Sequence, residues 1–246
     1  MSITDRLQTR LSKLKHEYEQ GGNQTINIIR SGTIIRHLED WCVEELIQVG
    51  ISHRDISTSF KASGFFKTKK QDVAVLCKKF NCSRHGRIPP LTVNVRSQLS
   101  SIQKNFDTLY ERLIAETLNL HLADPEHVAG FLYLIPLWGF DEKALKKGNV
   151  QLNENYDRSK YVESFEKVNL RSSPKNEEWK YERVCLLTVD FSTDPPEPVV
   201  GLPSKELDST LYHSLDTTRI WRCLDYRDFF SDLVEKARAR FGEECI

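Results

Sequence analysis

Apolar residues recur every three to four positions over residues 3–19, where Ile3, Leu7, Leu11 and Leu14 share one side. That spacing predicts a short amphipathic helix, which Gly21, Gly22 and Asn23 break. A second helical stripe follows. Ile34, Ile35, Leu38, Trp41, Cys42, Leu46 and Ile47 make one broad face, Ser31 or Thr33 can cap its start, and Gly50 ends it. Glu39 lies at the edge of that face. Residues 53–70 read as a polar, basic segment with Phe60, Phe65 and Phe66 interspersed. The period then shortens. Residues 72–76 (DVAVL) and 91–95 (LTVNV) predict strands, separated by NCSRHGRIPP, a turn-like stretch whose Pro-Pro resists ladder pairing.

Helical spacing returns over 104–122, with Phe106, Leu109, Leu113, Ile114, Thr117 and Leu118 toward the core. The run FLYLIPL (131–137) is almost wholly apolar and fits a buried strand or a buried helix equally. Residues 139–178 are charged and read as a polar loop insertion with one short helix over 161–167. VCLLTV (184–189) predicts another buried strand, 194–203 is Pro-rich and extended, and 225–241 is an amphipathic tail helix. Helices before and after a few apolar strands predict a single α/β domain spanning 1–246.

Charge and composition narrow the classes. Lys and Arg number 35 and Asp and Glu number 35, so any attraction to phosphate must come from a local patch. No apolar run approaches the roughly 18 residues of a membrane span, and residues 1–20 lack the apolar core of a secretory leader. A cytoplasmic protein with no membrane partner is the expectation. Six cysteines are scattered, at 42, 77, 82, 185, 223 and 245. Cys77, Cys82 and His85 lack a second pair at zinc spacing, which favours free thiols in a reducing compartment. Gly-rich phosphate loops, a serine nucleophile elbow and HExxH are all absent from the sequence.

The strands suggest a chemistry. Phosphodiester hydrolysis needs a divalent cation on hard oxygen ligands and a positive group for the phosphorane charge. One arrangement sets an Asp at the start of a strand and an acid and a Lys two apart on the next, so that period two aims both at one metal. Asp72 has the first position. Asn94 and Arg96 have the second and third, and Glu39 on the preceding helix offers a further carboxylate. Asn supplies only a neutral oxygen, and Arg clamps phosphate but does not deprotonate. The competing reading is that Asp72 makes a turn and Asn94 and Arg96 cover a half-exposed strand.

The segment VNVRSQLSSIQKNFDTLYERLIAETLNL resembles a region of the XhoI- and PaeR7I-type restriction endonucleases. Ser97-Gln98 and Asn105-Phe106 match the family pattern, and GFLYLIPL, KYERVCLLTV and the aromatic C-terminal helix follow in the family's order, over about 70–240. The resemblance implies a restriction-endonuclease-like core, a mixed β-sheet flanked by helices, in the PD-(D/E)xK superfamily. It implies a type II site-specific endonuclease cutting double-stranded DNA with Mg²⁺, working as a homodimer. Asp72 matches the first metal-binding aspartate, Asn94 the second acid and Arg96 the lysine, with Asp72 and Glu39 as metal ligands. Two of the three matched positions depart in type. That leaves open a nuclease with an altered centre and a non-catalytic, sequence-specific DNA-binding protein on the same fold.

Candidate DNA contacts surround these positions. Lys69 and Lys70 belong to a basic run with Lys61, Lys67, Lys78 and Lys79, followed by Arg84 and Arg87. Gln98, Ser100, Gln103 and Lys104 offer hydrogen-bonding groups just past the second strand. In the insertion, Lys143, Lys146, Lys147, Arg158, Lys160 and Arg171 are available to wrap a duplex.

Overall fold

The structure, a computed structural model, describes residues 1–30, 33–77, 88–100, 102–154, 156–199 and 223–246. Helix α1 (Ile3–Glu19) opens with a capping box, in which Ser2 Oγ accepts from the Asp5 N–H and Asp5 accepts from the Ser2 N–H. Its buried stripe is the expected Leu7, Leu11 and Leu14 with Tyr18 added. Helices α2 (Thr25–Arg30) and α3 (Thr33–Gln48) follow. Strands β1 (Ile56–Ser63), β2 (Thr68–Val75) and β3 (Leu91–Ser97) lead to α4 (Ile102–His121) and β4 (Val128–Pro136). The chain continues through β5 (Gly139–Phe140), α5 (Glu142–Leu145), β6 (Leu152–Glu154) and α6 (Ser159–Lys167). It then runs through β7 (Arg183–Asp190) and β8 (Glu197–Pro198) to helix α7 (Phe229–Phe241).

The fold is α/β. Six strands form one mixed sheet in the order β1-β2-β3-β4-β7-β8, and β5 and β6 pair separately. β1, β2 and β3 are antiparallel neighbours, β3, β4 and β7 are parallel, and β8 closes the edge antiparallel. Period two divides the strands between two cores. Val73, Val75, Val93, Val95, Leu132, Leu134, Cys185 and Leu187 join α1, α3 and α7. Ala129, Phe131, Tyr133, Ile135, Val184 and Leu186 join α4 and α6 on the other face. β4 is buried at all nine positions, which is why its sequence shows no alternation.

Several expectations change. The polar, basic segment 53–70 is β1 and the start of β2, an edge hairpin whose half-exposed strand hides its period. The ambiguous apolar run is a strand. The insertion at 139–178 carries core material, since Phe140, Leu145, Tyr156, Tyr161, Val162 and Phe165 are buried. Two of its cations are unavailable to a duplex. Arg158 donates to the Leu137 carbonyl and lies over the Tyr156 ring, and Arg171 is fully buried 3.3 Å from Glu182. Cys42, Cys185 and Cys223 are free thiols as expected, whereas Cys77 and Cys245 form a disulfide across 168 residues. Proximity across that separation comes from tertiary packing and leaves no spacing signal. Among the described residues no helix is long and apolar enough to cross a membrane.

Candidate functional site

Asp72 sits where the sheet loses its regular pairing. On one side, β1 pairs Thr58 with Val73 and Phe60 with Gln71, and between them Ser59 turns to φ +64 and leaves Asp72 unpaired. Such a conformation costs a non-glycine residue roughly 1–2 kcal/mol. On the other side, the β2–β3 ladder runs only as far as Val73–Val93. Beyond it, side chains replace main-chain partners. Asn94 Oδ1 accepts the Asp72 N–H at 3.2 Å, and Asp72 Oδ2 accepts the Val95 N–H at 2.9 Å.

The same Asp72 oxygen accepts from Arg96 Nη1 at 2.8 Å, and that nitrogen also donates to the Val95 carbonyl. Asp72 is 8 % exposed, whereas the Arg96 side chain keeps 35 % of its surface. Part of the Arg96 side chain is thus open to solvent at the gap between strands, while the Asp72 carboxylate it pairs with is largely buried. Asn94 is fully engaged, since its amide nitrogen donates to Gln71 Oε1 at 2.7 Å. It clasps β2 to β3 through Asp72 and Gln71.

Two further carboxylates approach from the helices. Glu39, on α3, has its carboxyl pushed up by burial and then by the negative charge of Asp72, with Lys70 opposing. Glu116, on α4, was not anticipated from sequence. It is 8 % exposed, makes no hydrogen bond or ion pair among the described residues, and is also pushed up, first by burial. Arg96 and Lys69 are the leading positive charges acting on it, and Asp72 adds repulsion. A signal for it existed. Glu116 falls on the buried stripe of α4, three after Leu113 and four before Leu120, where a charge is out of pattern.

Asp72, Arg96, Glu39, Glu116, Lys69 and Lys70 therefore share one electrostatic neighbourhood. Among the described residues no three His, Cys, Asp or Glu side chains gather as a preformed metal cage. The donors are chemically of the kind a hard divalent cation takes. They are hard oxygens only, and Mg²⁺ is usually held by one or two carboxylates together with water and phosphate.

A cleft of about 770 Å³ opens at the C-terminal end of β3. Its walls include Ser97, Gln98, Ser100, Lys104, Asn105 and Arg112, so three of the expected DNA contacts come together there. The carboxylates are not in its lining; it begins at the residue after Arg96. Gln98 accepts from the Tyr133 hydroxyl, Ser100 is buried against Phe140, and Lys104 is exposed with Glu142 3.7 Å away. The Gln103 side chain and the whole of Arg84 and Arg87 lie outside the described residues, as do Lys78 and Lys79. Comparison with protein-family models, curated proteins and solved structures gives no match to this chain.

Proposed function

We propose that the chain is a Mg²⁺-dependent endonuclease that hydrolyses phosphodiester bonds in double-stranded DNA at specific sites, on a restriction-endonuclease-like core. The observation that carries this reading is Asp72. It is held at the gap between β2 and β3 by Val95 and Arg96, with Glu39 and Glu116 brought toward it by helices α3 and α4. Unpaired, partly buried carboxylates beside an aspartate repel one another, and a bound cation removes that cost.

In this reading Asp72 and Glu39 hold Mg²⁺, and Glu116 adds the negative charge that Asn94 lacks. Bound Mg²⁺ would polarise the phosphate and lower the pKa of an attacking water. Arg96 does the work of a clamp. Its guanidinium, already at the mouth of the site, turns from Asp72 to a non-bridging phosphate oxygen as negative charge builds in line. Asn94 sets the angle of Asp72 by fixing its backbone. Lys69 and Lys70 draw the backbone in, and Gln98, Ser100 and Lys104 meet the duplex along the cleft. A two-fold homodimer would match a palindromic site.

Incubation with long mixed-sequence duplex DNA, with and without Mg²⁺, tests the reading. Discrete Mg²⁺-dependent fragments are expected from the wild type and none from Asp72→Asn. One observation favours a second reading, a non-catalytic DNA-binding protein: the Arg96–Asp72 pair and the fully bonded Asn94 make a closed, neutral arrangement without metal. That protein would leave all DNA intact and retard it in a salt-sensitive manner, with Asp72→Asn retarding it equally.

A further inference from the structure

The hairpin made by β1 and β2 ends in two exposed aromatic rings. Phe65 and Phe66 are 64 % and 66 % exposed, and their rings meet edge to face at 5.0 Å. A tip of this kind usually collapses onto the protein or stays mobile. Here it is clamped. Asn119 of α4 accepts the Phe66 and Lys67 N–H groups through Oδ1 and donates to the Lys67 carbonyl through Nδ2. Its own carbonyl accepts the Phe65 N–H at 2.8 Å. Gly64 is required for this contact, because a Cβ there would lie 2.0 Å from Asn119 Nδ2.

Between Asp55 and Asp72 the same hairpin is charged in one sense only. From Ile56 to Gln71 it carries Lys61, Lys67, Lys69 and Lys70 and no acidic residue. Lys61 and Lys70 are directly paired across the two strands, an arrangement that repels unless an anion lies against it. The strand that holds the tip also holds Asp72, six residues on, or about 20 Å of extended chain. A duplex lying against Asp72 spans that distance in roughly six base steps.

We propose that this hairpin is a wedge for duplex DNA: Lys61 and Lys70 straddle the phosphate backbone, and Phe65 and Phe66 enter between base pairs and unstack them. Rigid exposed rings beside phosphate-binding cations match the way apolar side chains kink DNA. The proposal shares its DNA partner with the reading above and is independent of cleavage.

The test uses full-length protein in EDTA and mixed-sequence duplexes carrying 2-aminopurine, whose fluorescence rises when its neighbours unstack. Wild-type protein is expected to bind and to raise the signal. Phe65→Ser/Phe66→Ser, at two exposed positions, is expected to bind about tenfold more weakly with no rise. Lys61→Ala/Lys70→Ala is expected to reduce the slope of log affinity against log salt by about two. The wedge is overturned by unchanged fluorescence at saturation or by aromatic variants that bind like the wild type. It is equally overturned if wild-type protein ignores duplex and instead binds vesicles of phosphatidylserine and phosphatidylcholine. Fluorescence rise without any Mg²⁺-dependent cutting keeps the wedge and removes the nuclease; cutting with no rise does the reverse.

Discussion

At the scale of single residues, the site is defined by how differently its carboxylates are treated. Asp72 has an arginine and a backbone N–H, while Glu116 is equally buried and has neither. A carboxyl pushed up by burial, and only partly offset by Arg96 and Lys69, costs the fold stability as pH rises above the ordinary carboxylate range. Glu116→Gln is therefore expected to raise Tm in EDTA, by about 2–4 °C for each kcal/mol relieved in a chain of this length. The same change is expected to shrink the further rise that Mg²⁺ produces in wild type and to slow cleavage by more than tenfold. A lower Tm in EDTA would place Glu116 among groups that hold the fold together. Arg96→Ala makes the complementary case. Losing it strands Asp72 beside Glu39 and Glu116, so the expected result is at least a hundredfold slower cleavage with Kd for duplex changed less than threefold, measured by single-turnover kinetics and titration.

At the scale of elements, the β1–β2 hairpin depends on one helix residue. Asn119→Ala removes two accepted hydrogen bonds and one donated bond together. A loss on the order of 2–4 kcal/mol is expected. Hydrogen exchange at Phe66 and Lys67 should accelerate while the amides of β4 keep their protection; exchange that stays slow at the tip would mean the turn holds itself. This element also shows where sequence reading stops. The amphipathic helices α1 and α3 and the strands around Asp72 were legible, because each buries one regular face. β1 was not, since Ile56–Ser63 buries only Ala62 fully and its register is broken by Ser59. The carboxylate positions Asp72 and Glu39 could be placed from strand period and helix edge. The clasp made by Asn94 and Gln71 could not, because it exists only where two strands part, and parting is decided by packing on both faces.

At the scale of the molecule, the end of the sheet opposite the candidate site is held by buried charge and by one neutral histidine. Glu182 is fully buried, with Arg240 at 2.8 Å, Arg171 at 3.3 Å, His121 at 3.4 Å and the Ala129 N–H at 2.7 Å. Burial alone would push its carboxyl up. The close approach of His121, followed by Arg240 and the Ala129 N–H, outweighs it and brings the value down to about 2. His127 is also fully buried, donating from Nδ1 to the Pro89 carbonyl at 2.7 Å and accepting the Thr92 hydroxyl at Nε2 at 3.0 Å. Burial first, then the nearby His121, lower its pKa to about 3. Both shifts have the same sign for stability. The unfolded chain takes a proton on histidine below about pH 6.5 and on glutamate below about 4.5, while the folded chain refuses each until far lower. The contribution of His127 is complete above about pH 6.5 and declines as pH falls toward 3; that of Glu182 is complete above about 4.5 and declines toward 2. Urea denaturation from pH 7 to pH 5 should show stability falling with a slope that approaches about 1.4 kcal/mol per pH unit from His127. His127→Gln retains a donor and an acceptor but cannot titrate. Its curve should be flatter by that amount above pH 5 and should still drop below 4.5, where the unfolded chain protonates Glu182 and the folded chain does not until about 2. Parallel curves for the two proteins would mean that His127 is protonated in the folded state, and that the Thr92 and Pro89 contacts do not hold the neutral ring.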